Sequence, residues 1–187
     1  MFSRREYLEN KTGPYGVGRD SFIRMLAEEY NDSNTSPSNK QQVLANLANF
    51  AYDPYNLEYL RSHGVVHLFF SALNESSDDR LVEFAIGGLS NLLTGGKSVV
   101  ELVLGGKEPE AQIRLMLDLL DLVLGSGRND AIVVGAVVSL TCITRHGFLP
   151  RSLQPVLTLK ISELERNSDS SSFVLKNHAV ILKGLLC

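Results

Sequence analysis

An all-α solenoid of stacked repeats is the fold this sequence predicts. Three observations carry the prediction: apolar residues recur at helical spacing through most of the chain, turn residues interrupt them at short intervals, and the order of long and short helices comes round again. The 187 residues are 44% hydrophobic and 21% charged, a globular balance with room for one substantial core. A net charge of −3 and a pI near 5.8 give no overall attraction for phosphate backbones or anionic lipid. MFSRREYLENKTG lacks the apolar centre of a secretory signal, and no run reaches the roughly 18 apolar residues of a membrane span. A soluble intracellular protein with no membrane partner is expected. Cys142 and Cys187 have no nearby cysteine and read as reduced thiols.

Residues 1–18 are polar and weakly periodic and read as an irregular arm, leaving 19–187 as a single repeat domain. Asp20 is placed to N-cap a first helix with the stripe Phe22, Ile23, Leu26 and Tyr30. After NDSNTSPSN, Ser38-x-x-Gln41 has the form of a capping box ahead of Val43, Leu44, Leu47 and Phe50. Asp53-Pro54 ends that helix near Tyr52, because the residue before a proline is driven out of helical geometry. Leu57 to Ser62 reads as a short helix, Gly64 as a break, and Val65 to Leu73 as the next helix. The order then recurs: a helix carrying Val82, Ala85, Ile86, Leu89 and Leu92, a glycine turn, a short helix Val99 to Leu104, Gly105-Gly106, and a helix from about Ala111 to Leu124. Ile132 to Ile143 and Phe173 to Leu186 are the later helices, with ERNSDSSS, Glu165 to Ser172, as the loop before the last.

A shift of 42 residues tests the recurrence. It superimposes Leu47 on Leu89, Asn49 on Asn91, Leu60 on Leu102, Gly64 on Gly106 and Leu73 on Leu115. Units of about 40 to 47 residues with two or three helices are those of HEAT and armadillo repeats, which bury their apolar faces only by stacking. Leu140 and Leu185 are expected at the later equivalents of Leu47 and Leu89, through shifts of 51 and 45 residues. The predicted fold is thus an armadillo/HEAT-like right-handed superhelical solenoid of about three repeats, at about 40–80, 81–125 and 130–165, with helical caps, the C-terminal one at 173–187.

Gln41 to Leu92 contains VLANLANFAYDP, EYLR and LVEFAIGGL, and on these blocks the chain resembles the armadillo-repeat family, specifically its small all-helical adaptors. The resemblance covers a little over a quarter of the chain. It implies a non-catalytic component of the minor spliceosome, acting in pre-mRNA splicing by binding an RNA-binding-motif protein, RNA-binding protein 48, with RNA contacted mainly through that partner. It also implies a nuclear location, with the cytoplasm as a secondary one. A general armadillo scaffold in another complex is the alternative reading.

In armadillo proteins an asparagine ladder faces the concave groove and hydrogen-bonds an extended peptide, since an amide both donates and accepts. Asn49 and Asn91 hold that position here, with Asn46 beside them and Ala45, Gly87 and Gly88 giving a groove of small side chains; Glu83 lies one turn before Gly87. The tryptophans that accompany the ladder in nuclear-import receptors are absent, since the chain has no Trp. Tyr52, Tyr55 and Tyr59 with Arg61 have the composition of an interface hot spot. These residues, Asn46, Asn49, Tyr52, Tyr55, Tyr59, Arg61, Glu83, Gly87 and Asn91, form the expected protein-binding set.

Other motifs read as structural. LLTGGKSVV ends like a phosphate-binding loop, but Asn91 stands where its first glycine belongs and the preceding residues are helical, so a nucleotide-binding protein using GGKS is the weaker alternative. Gly95 or Gly96 is expected to end a helix in left-handed geometry, with Lys97 against that helix's C-terminal dipole. His63 and His67 have metal-ligand spacing, yet Gly64 separates them and no ligand set is evident nearby. Asp118 and Asp121 read as surface acids, Asp118 pairing with Arg114. No catalytic group, cofactor, metal or small-molecule substrate is expected, and a direct RNA-binding solenoid is disfavoured by the acidic balance.

Overall fold

The computed structural model describes residues 16–106, 108–125, 130–167 and 173–186. Most of the expected arm, the loop residues 168–172 and Cys187 lie outside the described residues. Ten α-helices are described, with no strand among these residues: α1 (Arg19–Asn31), α2 (Pro37–Phe50), α3 (Leu57–Ser62), α4 (Val65–Glu75), α5 (Asp79–Leu93), α6 (Lys97–Leu104), α7 (Pro109–Gly125), α8 (Asp130–Arg145), α9 (Gln154–Asn167) and α10 (Phe173–Leu186). Two single-turn 3₁₀ helices, Pro54–Asn56 and Arg151–Leu153, precede α3 and α9. No described helix is long and apolar enough to cross a membrane.

Local chemistry sets these boundaries, in places differently from the sequence expectation. Pro37 supplies a preset φ at the first position of α2, so the cap is Ser36, whose hydroxyl accepts from the Asn39 amide at 3.3 Å, and not Ser38. Gln41 is thereby released from capping and donates to Asp78 at 2.7 Å. Asp20 does not cap α1 either. Gly18 occupies that position, and Asp20 pairs through Oδ1 with His63 Nε2 at 2.7 Å, fastening α1 to the end of α3. Asp53 caps the 3₁₀ turn by accepting from the Tyr55 amide at 3.1 Å. Gly64, at φ +71°, makes the corner between α3 and α4 that a side chain would strain. The predicted loop at Glu165 starts later, since α9 continues to Asn167.

The chain divides into two compact units, Met1–Leu92 and Leu93–Cys187. In the first unit the core is built from Ile23, Leu44, Leu47, Leu60, Phe69, Ile86 and Leu89, all without solvent exposure. Two hydrogen bonds fix α2 beside α5: Gln41 to Asp78 near their starts, and Asn91 Nδ2 to the Ala48 carbonyl, 3.1 Å, near their ends. Start meets start and end meets end, so the two helices run parallel, as equivalent helices of successive repeats must.

The second unit follows the same rule. Ser152 donates to Glu110 at 3.3 Å and Lys160 to Asp121, which sets the 3₁₀ turn and α9 parallel to α7. Within it, α10 packs against α8 and α9. Leu185 is not the core equivalent of Leu140: it is 38% exposed, while Leu182, a shift of 42 residues from Leu140, is fully buried. Ala179 and Leu182 define the inward face of α10, and Leu185 falls at its edge.

Candidate functional site

The expected binding residues all lie in the first unit, on α2, α3, α5 and the turn that follows α2. On α2, Asn46 and Asn49 stand on its outward side. Asn46 is half-buried and accepts from Gln42 Nε2 at 3.3 Å, one turn earlier. Asn49 is exposed, and its side-chain amide has no hydrogen-bond partner among the described residues. On α5, Glu83, Gly87 and Asn91 are spaced by four residues and form one half-buried stripe. Asn91 is not an open equivalent of Asn49, because its Nδ2 donates across to the Ala48 carbonyl and ties α5 to α2.

The two glycines of α5 have opposite roles. A Cβ on Gly88 would lie 2.5 Å from the Phe69 ring, so Gly88 belongs to the buried contact with α4 and not to a groove. A Cβ on Gly87 would meet nothing within 4 Å. Gly87 therefore leaves an open notch between Glu83 and Asn91.

The aromatic group also separates. Tyr55 and Tyr59 pack edge to face, centroids 5.8 Å apart at 69°, with their hydroxyls 3.4 Å apart; both are half-buried. Tyr52 is 60% exposed. Arg61 is exposed and 3.6 Å from Glu58, an ion pair too solvated to fix much. Asn49 and Tyr52 are thus the binding-set residues most open to solvent at the end of α2, three positions apart.

Sequence reasoning missed the polar support beneath that end. Asn56 is completely buried, donates from Nδ2 to the Phe50 carbonyl at 2.8 Å and accepts from Arg19 at 3.5 Å. The same Arg19 guanidinium sits 4.9 Å over the Phe50 ring, which Phe22 meets edge to face at 5.8 Å. Phe22 and Phe50, placed by the sequence on the apolar stripes of their helices, are 39% exposed and half-buried respectively. The available signal was Asn56 itself, an amide at the close of the Asp-Pro turn, where a side chain can take over backbone hydrogen bonds.

The rejected motifs have structural explanations. Gly96 has φ +100° and ψ −178°, so it does not end α5 in left-handed helical geometry; it stands at the N-cap of α6. Lys97 opens α6 and so lies at a helix N-terminus, not against a C-terminal dipole. The amides of Val99 and Val100 turn back to the Gly96 carbonyl, and Asn91 is inside α5, so GGKS builds no phosphate cradle. His63 does have a carboxylate beside it, Asp20, while His67 is exposed on α4; among the described residues no group of three or more His, Cys, Asp or Glu could hold a metal. Arg114 pairs with Glu110 at 2.9 Å rather than with Asp118, and Asp121 pairs with Lys160. The Cys142 thiol is held above its ordinary pKa by burial, against a smaller opposing pull from Arg145.

No protein-family model matches the chain. Armadillo repeat-containing protein 7 of Mus musculus is 48% identical over 73 residues, 39% of this chain and 36% of the mouse protein, so the match spans little more than a third of that relative. A solved designed armadillo repeat protein, in complex with the peptide (KR)4, is similar with a TM-score of 0.62 at 15% identity, over 86% of this chain and 62% of that one. A second designed armadillo repeat protein gives 0.52 at 14% identity, over 88% and 82%. An engineered protein from a structural genomics consortium gives 0.66 at 16% identity, over 88% of this chain and 62% of its own. These likenesses and the helix order agree on one fold, the armadillo repeat.

Proposed function

We propose that this armadillo-repeat chain is a non-catalytic adaptor that binds a protein segment along the α2 and α5 face of its first unit. The partner proposed is the RNA-binding-motif protein of the minor spliceosome, RNA-binding protein 48, met in the nucleus, with RNA reached through that partner. The fold is a scaffold suited to binding proteins, and scaffolds of this kind are generally non-catalytic. The finer role rests on the sequence resemblance in VLANLANFAYDP, EYLR and LVEFAIGGL.

One observation carries the choice of surface: Asn49 presents an unengaged amide beside exposed Tyr52, while Gly87 leaves a notch on the neighbouring helix. An amide offers a donor and an acceptor to a partner backbone, and Tyr52 supplies area with few rotatable bonds. Because Asn91, Asn56 and the helices beneath are already hydrogen-bonded, the face is preformed and little ordering is needed on binding.

Affinity purification from nuclei, wild type against Asn49→Ala/Tyr52→Ala, tests both levels. Recovery of RNA-binding protein 48 with minor-spliceosome components, reduced about tenfold by the double variant, is the expected result, since central interface residues commonly account for changes of roughly 1 to 2 kcal/mol. Recovery of an unrelated complex that the double variant weakens replaces the spliceosomal partner with the general-scaffold alternative. A folded variant that retains every partner overturns the surface assignment.

A further inference from the structure

We propose that the second unit contains a separate binding site for a small carboxylate, in a cavity between the end of α8, the start of α9 and the end of α10. The cavity measures about 320 Å³, and its lining includes Thr144, Gly147, Leu149, Arg151, Gln154 and Leu185.

Thr144 is the first sign of a ligand. Hydroxyls on these helices normally turn back one turn: Ser139 donates to the Gly135 carbonyl at 2.8 Å, Thr141 to Val137 at 2.7 Å, and Thr158 to Gln154 at 2.9 Å. Thr144 is the exception. Thr144 lines the cavity, and its hydroxyl oxygen is buried with no partner among the described residues.

Charge at the mouth supplies the sign. Arg151 is exposed and forms no ion pair among the described residues. Glu110, which accepts from the adjacent Ser152, is already paired with Arg114. The opposing wall is not an anion-repelling row of bare carbonyls, because the Cys142, Ile143 and Thr144 carbonyls accept from His146, Phe148 and Gly147.

Shape then limits the ligand. About 320 Å³ stands at the lower end of small-molecule pockets and is too small for a nucleotide, while Leu149 and Leu185 give the cavity apolar sides. A carboxylate on a short aliphatic stem fits, since the planar Arg151 fork can take its two oxygens, and rotation of the Thr144 side chain about χ1 would bring its unpartnered hydroxyl to one of them. Such a group comes either from a free short-chain acid or from the last residue of a peptide.

Nuclear magnetic resonance titration of the full chain tests the site with butyrate, neutral butanol, inorganic phosphate, and an acetylated Gly-Leu dipeptide with a free or an amidated C-terminus. Saturable shifts at Thr144, Gly147, Arg151 and Gln154 with butyrate or the free dipeptide, and none with butanol or the amide, are expected. Arg151→Gln, at an exposed position, and Thr144→Val, close in shape, should each weaken binding about tenfold. Tighter binding of the free dipeptide than of butyrate identifies the peptide C-terminus as the source, and the reverse identifies a free acid. Shifts with phosphate alone, unchanged affinity in Arg151→Gln, or no saturable shift with any carboxylate, as for a cavity that holds only water, overturns the proposal. None of these outcomes depends on the face of the first unit.

Discussion

Gly87 and Gly88 are adjacent in the sequence and opposite in consequence. A methyl group at position 88 meets the Phe69 ring at 2.5 Å, whereas at position 87 it meets nothing within 4 Å. Gly88→Ala should therefore destabilise by about 1 to 3 kcal/mol through overpacking, while Gly87→Ala should stabilise by roughly 0.5 to 1 kcal/mol by restricting the unfolded chain. Urea denaturation of the two variants checks the opposite signs. Asn56→Ala removes the side-chain donor of the Phe50 carbonyl, which keeps only the Asp53 amide, and should cost about 0.5 to 1.5 kcal/mol in the same assay. Tyr30 adds an alkaline term. Burial foremost, then the charges of Glu75 and Asp78, raise its phenol above 10.0, so the folded chain holds the proton that the unfolded chain releases. Its contribution to stability is complete below pH 10 and is lost as pH rises further, and Tyr30→Phe should flatten that decline.

Between elements, the contacts that set register are side-chain hydrogen bonds. Gln41 is the chief reason why the Asp78 carboxyl is held below its ordinary 3.8, with smaller help from backbone amides and Arg80 against opposing desolvation. The folded form favours ionised Asp78, so this stabilisation is present above pH 3.8 and is lost as pH falls through the lowered value. Gln41→Ala should remove part of that acid-side dependence, read as a smaller change in denaturation midpoint between pH 5 and pH 3 than wild type shows. At the start of α6, Gly96 and Lys97 form a helix entry without a cradle. ATP or GTP should leave the melting temperature of wild type and Lys97→Ala alike; stabilisation that the substitution abolishes would restore the nucleotide reading.

Over the whole chain, one periodic position shows where the candidate site stops. Leu47, Leu89, Leu140 and Leu182 are all fully buried, at successive intervals of 42, 51 and 42 residues. Two residues after each stand Asn49, Asn91, Cys142 and Gly184, so the amide pair belongs to the first unit and does not continue into the second. With a net charge of −3 the isolated chain should bind RNA without appreciable salt-dependent affinity, which filter binding at varied ionic strength measures. Tight, salt-sensitive binding by the chain alone would favour the RNA-binding solenoid instead.

Periodicity and punctuation were sufficient to place most of the helices and the 42-residue repeat, though not the helix Gln154–Asn167, because helix formation and turn breaking depend on residues close in the chain. Leu57–Ser62 is the shortest α-helix among the described residues and was readable, since the Asp-Pro turn precedes it and Gly64 follows it. Partner choice was not readable. Asp20 faces His63, Gln41 reaches Asp78 and Asn91 reaches Ala48 only because helices distant in sequence are stacked, and no local pattern encodes those meetings. Thus the sequence by itself determined an armadillo-like order of helices and the small-residue, asparagine-bearing face of α2 and α5. Only the tertiary structure decided that Asn91 and Gly88 are spent on packing while Asn49, Tyr52 and Gly87 stay open, because exposure is a property of the neighbours that packing supplies.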